Sequence, residues 1–259
     1  MRYGPHETRN LYDLYVPKPA GDAKSAKPAA LVIWIHGGGW QNGNKGGGPA
    51  FALLEQGFAV ATINYRLSGD AIFPAQIHDC KAAVRHLRAK AQEYGIDPEK
   101  FGVWGSSAGG HLVALLGTSG DVKELEGAVG DFTSVSSRVQ AVCDFYGPTD
   151  LLQMRGRHDD PQSPESKLIG GAIQENKDKA ARANPITYVS ADDAPFLIMH
   201  GDEDKVVPYG QSELIRDALE KEQVPATLVK IEGNGHGGPG FGAPDKVRQI
   251  TDFFRKALR

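Results

Sequence analysis

Phe101-Gly102-Val103-Trp104-Gly105-Ser106-Ser107-Ala108-Gly109-Gly110-His111-Leu112-Val113-Ala114-Leu115-Leu116 joins a strand pattern to a helix pattern with almost no connecting loop. Phe101–Trp104 reads as a short buried strand, and His111–Leu116 as the body of a helix. A chain that turns this sharply cannot carry bulky side chains beside the corner, and Gly105, Ala108, Gly109 and Gly110 meet that demand. The corner lifts Ser107 to its tip, with the hydroxyl exposed and the following N–H groups at a helix N-terminus. A G-x-S-x-G string is weak alone and gains weight from its strand–turn–helix setting.

The same alternation extends outward along the chain. Asn10–Pro17 alternates like an edge strand, Leu31–His36 is a continuous apolar run, and the glycine-rich stretch Gly37–Pro49 follows it. A helix over Phe51–Gln56, a strand over Phe58–Asn64 and an amphipathic helix over about Ile77–Tyr94 precede the corner. After it come strands at Val139–Phe145, Pro195–His200 and Ala226–Ile231, with helices at Tyr209–Gln223 and Ala243–Arg259. Strands alternating with helices predict an α/β class with a mostly parallel central sheet flanked by helices. Residues 147–190, rich in Pro, charge and Gln/Asn, are too long for an ordinary connection. They are expected to form a small, partly helical insertion over the active-site edge of one domain spanning 1–259.

Composition narrows the function. The 259 residues carry a formal charge of −3, with no basic block and no Lys/Arg stripe interleaved with aromatics, so nucleic acid and anionic membrane are not expected partners. No apolar stretch reaches the roughly 18 residues of a membrane span. The N-terminus shows no apolar signal region, which leans the expected location toward cytoplasm, with secretion or a periplasmic site open if a leader was removed. Cys80 and Cys143 fall in apolar or helical patterns and are expected as free buried thiols. Nothing in the pattern speaks to oligomeric state.

In an open α/β sheet, ligands bind outside the carboxyl ends of the strands. The apolar runs end at His36, Gly105, Tyr146, His200 and Glu232, each followed by a loop rich in Gly, His, Asp or Pro. A serine hydroxyl needs a base, and the base needs a carboxylate to orient it. Of the eight histidines, His236 lies in a glycine-rich loop after the last strand, outside any periodic pattern, and is the candidate base. Asp204, in His200-Gly201-Asp202-Glu203-Asp204, is the candidate acid, with Asp202 and Glu203 expected to face solvent or cap the next helix. That carboxylate cluster matches no calcium loop. The order serine, acid, histidine is the one found in α/β-hydrolases. His36-Gly37-Gly38-Gly39-Trp40 supplies backbone N–H groups for a developing oxyanion, completed by the N–H of Ala108. Asn44-Lys45-Gly46 lacks the hydroxyl of a phosphate loop. No paired Cys ligands or H-E-x-x-H occur, so neither metal nor cofactor is expected.

With His36–Trp40, Asn64-Tyr65-Arg66-Leu67, Gly105–Gly110, His200–Pro208 and His236 in place, the chain resembles α/β-hydrolase carboxylesterases with an HGGGW oxyanion motif. The resemblance is to the bacterial feruloyl/acetyl esterase-like and hormone-sensitive-lipase-like group and covers nearly the whole chain. It implies Ser107 as nucleophile, Asp204 as acid, His236 as base, and Gly38, Gly39 and Ala108 as oxyanion donors. Two departures favour the smaller feruloyl/acetyl type. Ser106 stands where the lipase-like enzymes usually carry Asp or Glu, and only about 35 residues precede the glycine loop. The expected activity is hydrolysis of short-chain acyl esters, acetyl or feruloyl groups on plant polysaccharide among them, with a small-molecule or oligosaccharide ester as substrate. An arylformamidase-type amide hydrolase and a non-enzymatic binding homologue are the alternatives.

Other residues carry weaker signals. Trp40 is a candidate wall of the acyl pocket or a loop-packing residue, and Tyr146, Pro148 and Asp150 are candidates for lining the site. His78-Asp79 opens a helix and is expected to cap it or pair on its surface. Arg157-His158-Asp159-Asp160 is expected to be a solvated loop, and Tyr65-Arg66 to tie a strand end to neighbouring loops.

Overall fold

The apolar runs become seven strands of one sheet in the computed structural model, which describes residues 1–18 and 27–259. The strands are β1 (Tyr12–Tyr15), β2 (Ala29–Ile35), β3 (Ala59–Ile63), β4 (Ile96–Ser106), β5 (Ala141–Phe145), β6 (Phe196–Gly201) and β7 (Ala226–Ile231). Their order in the sheet is β1-β3-β2-β4-β5-β6-β7. Only β1 runs antiparallel, against β3, and the other pairings are parallel. Strands buried on both faces need no alternation, and β3 and β5 are buried at every residue. The helices Ala75–Ala89, Ala108–Thr118 and Gly210–Lys221 add Ile77, Leu112 and Ile215 to one core. Leu53 and Phe254, the latter from the closing helix Pro244–Ala257, join the core on the opposite face. There Trp34 and Trp104 meet edge to face at 5.7 Å.

Three elements differ from their sequence pattern. The segment expected as a helix over Phe51–Gln56 is a 3-10 helix, Pro49–Gln56, confined between Gly48 and Gly57. The amphipathic helix starts two residues earlier, at Ala75, and breaks at Lys90 before a further turn, Ala91–Tyr94, which Gly95 closes with φ 67°. β4 reaches back to Ile96 across polar residues, because Ile96 pairs with Ala29 before the register shifts at Leu31.

His78-Asp79 is neither a cap nor a surface pair. Asp79 lies inside the Ala75–Ala89 helix with its side chain fully buried, and both oxygens accept from Arg66, which follows β3. The backbone N–H of Arg66 donates to the same carboxylate. Nothing in the local helical pattern marks this pair, since its partner comes from another element. Tyr65 does tie its strand end to a neighbour, donating from its hydroxyl to the His36 carbonyl at 2.9 Å. Cys80 and Cys143 are free and buried. No helix among the described residues is long and apolar enough to cross a membrane.

Between β5 and β6 the chain makes only short helices, including Leu151–Met154, Pro164–Ile169 and Lys177–Ala183. They are tied to the main body by side chains. His111 of the Ala108–Thr118 helix reaches the Ala183 carbonyl through Nε2 at 2.7 Å, and Arg157 donates to the carbonyls of Lys205 and Val206. Asn184 holds the start of the segment by accepting from the Leu151 N–H and donating to Asp150.

Asp144, at the end of β5, is fully buried and accepts from the Gly147 N–H at 2.9 Å, while its Oδ2 has no partner among the described residues. Burial pushes its carboxyl up to about 6 from an ordinary 3.8. The folded protein therefore holds a proton there that the unfolded chain has already released, and this group's contribution worsens as pH rises from about 4 to 6. Asp144→Asn is expected to gain a few degrees in Tm relative to wild type as pH rises through that window. Thermal unfolding at pH 4, 5, 6 and 7 reads this directly. A wild-type-to-variant difference that stays flat with pH would place the titration elsewhere.

Candidate active site

Three loops leave the carboxyl edge of the sheet, after β4, β6 and β7, and bring together the serine, aspartate and histidine singled out in the sequence. Ser107 sits between β4 and the Ala108–Thr118 helix with φ 56°, a left-handed value that a serine adopts only under constraint. Its N–H donates to the Phe145 carbonyl at 2.8 Å, which pins the corner to β5. The corner depends on missing side chains: a Cβ on Gly109 would lie 2.1 Å from the Ile35 carbonyl oxygen. This close approach of helix to strand is why the sequence clusters glycine here.

His236 links the other two residues. Its Nδ1 lies 2.7 Å from Asp204 Oδ2, and its Nε2 lies 2.8 Å from Ser107 Oγ. The Asp204 side chain is fully buried. Burial alone would raise its carboxyl, but His200, His236 and the Val207 and Val206 amides hold it well below the usual carboxylate range. Asp204 is therefore an ionised acceptor at neutral pH. His236 Nδ1 must donate to it, which leaves Nε2 to accept from the Ser107 hydroxyl. The loops of Asp204 and His236 also bind each other, since Glu203 N–H donates to the Asn234 carbonyl and Gly233 N–H to Asp202. Asp202 and Glu203 are exposed, as expected from the sequence.

Sequence reasoning missed His200. Its Nε2 lies 3.0 Å from the Val207 carbonyl and 3.2 Å from Asp204 Oδ2, so Nε2 carries the proton. Its Nδ1 lies 2.7 Å from Ser212 Oγ. A fully buried imidazole thus places its N–H beside Asp204 Oδ2, the oxygen that faces His236, and favours the ionised carboxylate. The signal was present, since His200 closes an apolar run just ahead of the acid.

A cavity of about 410 Å³ opens on Ser107 and His236. Gly38, Gly39 and Ala108 line it, and their N–H groups have no protein acceptor among the described residues. Gly38 holds φ 109°, and a Cβ there would strike the Asn42 carbonyl oxygen at 2.4 Å. Trp40, Tyr146 and Pro148 line the same cavity. Trp40 also packs, since it is 1% exposed and donates from Nε1 to His111 Nδ1 at 3.2 Å. Tyr146 places its ring 4.6 Å from that of His236. Asp150 does not line the cavity; it caps the Leu151–Met154 helix by accepting from the Leu152 N–H. The segment at 157–160 is not a solvated loop throughout, because His158 is buried against Glu165. Glu165 and Pro164 complete one side of the cavity wall, a contribution that the irregular pattern of the 147–190 segment concealed. No cluster of three or more His, Cys, Asp or Glu side chains suited to a metal ion occurs among the described residues.

A mostly parallel sheet with a sharp serine corner after β4 and an acid–histidine pair supplied by the loops after β6 and β7 is an α/β-hydrolase fold. The BD-FAE family model matches residues 12–219, and the chain belongs to that family. Esterase LipQ of Mycobacterium tuberculosis is 32% identical over 258 residues, covering 96% of this chain and 59% of its own length. The chain thus spans little more than half the length of that curated relative. A truncated form of a carbohydrate esterase from gut microbiota superposes with a TM-score of 0.91 at 36% identity, over 100% of this chain and 94% of that one. An acetyl ester-xyloside bifunctional hydrolase from Caldicellulosiruptor lactoaceticus gives 0.77 at 25% identity, over 95% and 87%.

Proposed function

We propose that this chain is a serine carboxylesterase that removes short acyl groups, acetyl foremost, from a carbohydrate ester through an acyl-enzyme. The observation that carries this reading is the pair of contacts at His236, 2.8 Å to Ser107 Oγ and 2.7 Å to Asp204, at a cavity bordered by unengaged glycine amides. His236 takes the Ser107 proton as Oγ attacks the acyl carbonyl, and the oxygen turns toward the N–H groups of Gly38, Gly39 and Ala108. His236, now charged against ionised Asp204, returns the proton to the leaving alcohol. Water then attacks the acyl-serine by the same route, releasing the acid and restoring Ser107. The carbohydrate and acetyl-ester relatives support the choice of alcohol and acyl group. The cavity is lined largely by apolar groups that suit an acyl chain, and the polar side chains of Tyr146 and Glu165 in its wall suit a hydrophilic alcohol.

Acetate release from acetylated xylo-oligosaccharides, beside turnover of 4-nitrophenyl acetate, 4-nitrophenyl decanoate and N-formylkynurenine, tests the proposal. On the short-acyl proposal the acetyl esters are expected to exceed the decanoate at least about tenfold in kcat/KM. Preference for N-formylkynurenine would replace the esterase reading with a formamide hydrolase.

A further inference from the structure

Glu165 is a carboxylate placed where ester chemistry does not use one. It belongs to the cavity wall that includes Ser107 and His236, yet it is only 5% exposed. Its Oε1 lies 2.9 Å from His158 Nδ1, and its Oε2 is shielded from solvent and has no hydrogen-bond partner among the described residues. A shielded carboxylate oxygen without a donor is costly, so a group that supplies one is bound strongly.

The surroundings hold Glu165 in place. Ser163 accepts from the Ser166 N–H at 3.1 Å and donates to the His158 carbonyl at 2.8 Å, which joins the two ends of the His158–Glu165 segment. Pro164 lies against the glycine loop, where a Cβ on Gly39 would sit 3.3 Å from its ring. Glu165 is thereby anchored beside Gly39, on the rim of the candidate oxyanion site. Its terminal torsion is broad, so a modest rotation about Cγ–Cδ, shared by both oxygens, turns Oε2 toward the cavity while lengthening the Oε1 contact with His158.

We propose that Glu165 is a specificity-determining residue whose Oε2 accepts a hydrogen bond from a hydroxyl of the substrate, so that the site selects hydroxyl-bearing esters. The inference rests on the carbohydrate-ester reading above and makes it more specific. The hydroxyl has two chemical sources: a sugar hydroxyl in the alcohol half or a phenolic hydroxyl in the acyl half. His158 is then a positioning residue that orients the carboxylate.

The test measures kcat/KM of wild type, Glu165→Gln and Glu165→Leu on a monoacetylated methyl xyloside, on methyl ferulate and on 4-nitrophenyl acetate, which carries no hydroxyl. Glu165→Gln keeps an acceptor for His158 and replaces Oε2 with an NH₂ group; Glu165→Leu removes both oxygens. Thermal unfolding of each variant reports any structural cost. The ratio of kcat/KM for the hydroxyl-bearing ester to that for 4-nitrophenyl acetate is expected to fall about 10- to 100-fold in Glu165→Leu, mainly through KM, and less in Glu165→Gln. A fall confined to the xyloside assigns the hydroxyl to the sugar, and one confined to the ferulate assigns it to the acyl group. A parallel fall on all three substrates, or no fall, overturns the inference. Failure of the carbohydrate-ester reading shows separately, as no acetate released from the xyloside by wild type.

Discussion

Replacing Ser107 with alanine is expected to lower kcat on 4-nitrophenyl acetate by about 10⁶ while leaving the fold intact. The size of the loss follows from the arrangement. Ser107 stands at φ 56° on a corner pinned by the Phe145 carbonyl, with its Oγ 2.8 Å from His236 Nε2. Water in place of Oγ would have to be held in that position without the backbone that holds the serine, and the acyl-enzyme route would be closed. Alanine is smaller and keeps the same backbone, so unfolding should change little. The decisive comparison is with Ser106→Ala, the adjacent hydroxyl in the same string, whose loss should be smaller by orders of magnitude. An Ser107→Ala enzyme retaining more than about a thousandth of wild-type turnover would remove Ser107 from the nucleophile's role. Trapping an acyl adduct at Ser107 by mass spectrometry after rapid quench is the complementary result.

Asp204→Asn should cost about 10⁴ in kcat, and for a reason legible in the hydrogen bonds. Asp204 Oδ1 accepts from the N–H groups of both Val206 and Val207, at 2.7 and 2.9 Å. An asparagine oxygen must take that place, because its NH₂ group cannot face two donors. The NH₂ group then falls on the Oδ2 side, toward His236 Nδ1 and His200 Nε2. His236 has to accept at Nδ1, which moves its remaining proton to Nε2, the atom that should receive the Ser107 proton. The base is blocked by its tautomer, while its position changes little. The same substitution removes a carboxylate whose folded form is held below its ordinary range. Stability that wild type keeps above that range and loses as pH falls through the depressed value will be absent from the variant at neutral pH. Activity of Asp204→Asn within tenfold of wild type would move the acid's role to another carboxylate.

The fold and the three central side chains were readable because each depends on local pattern. A parallel strand buried on both faces is a continuous apolar run, and Ser107 and Asp204 each lie in a loop that follows such a run, while His236 follows the half-exposed edge strand β7. The cluster of glycines around Ser107 and Gly38 reflects close backbone approaches, which a sequence registers as missing side chains. Other features were hidden because their partners are distant. Asp79 looked like a helix-surface residue because Arg66 sits on a different element. His158 looked solvated because its cover comes from Glu165 and from short helices with no periodic signature. His200 stands at a position as suggestive as that of Asp204. A histidine inside an apolar run is read most simply as core, and only the contact with Asp204 gives it a chemical task.

The segment between β5 and β6 grips two loops of the candidate site at once, through Pro164 against Gly39 and Arg157 on the carbonyls of Lys205 and Val206. Exchanging this segment would therefore disturb the candidate site's loops as well as the cavity wall. A graft from a relative would have to carry both handholds with it, or the hybrid would trade turnover for novelty. Point changes within the segment, which leave Pro164 and Arg157 in place, offer the smoother evolutionary path.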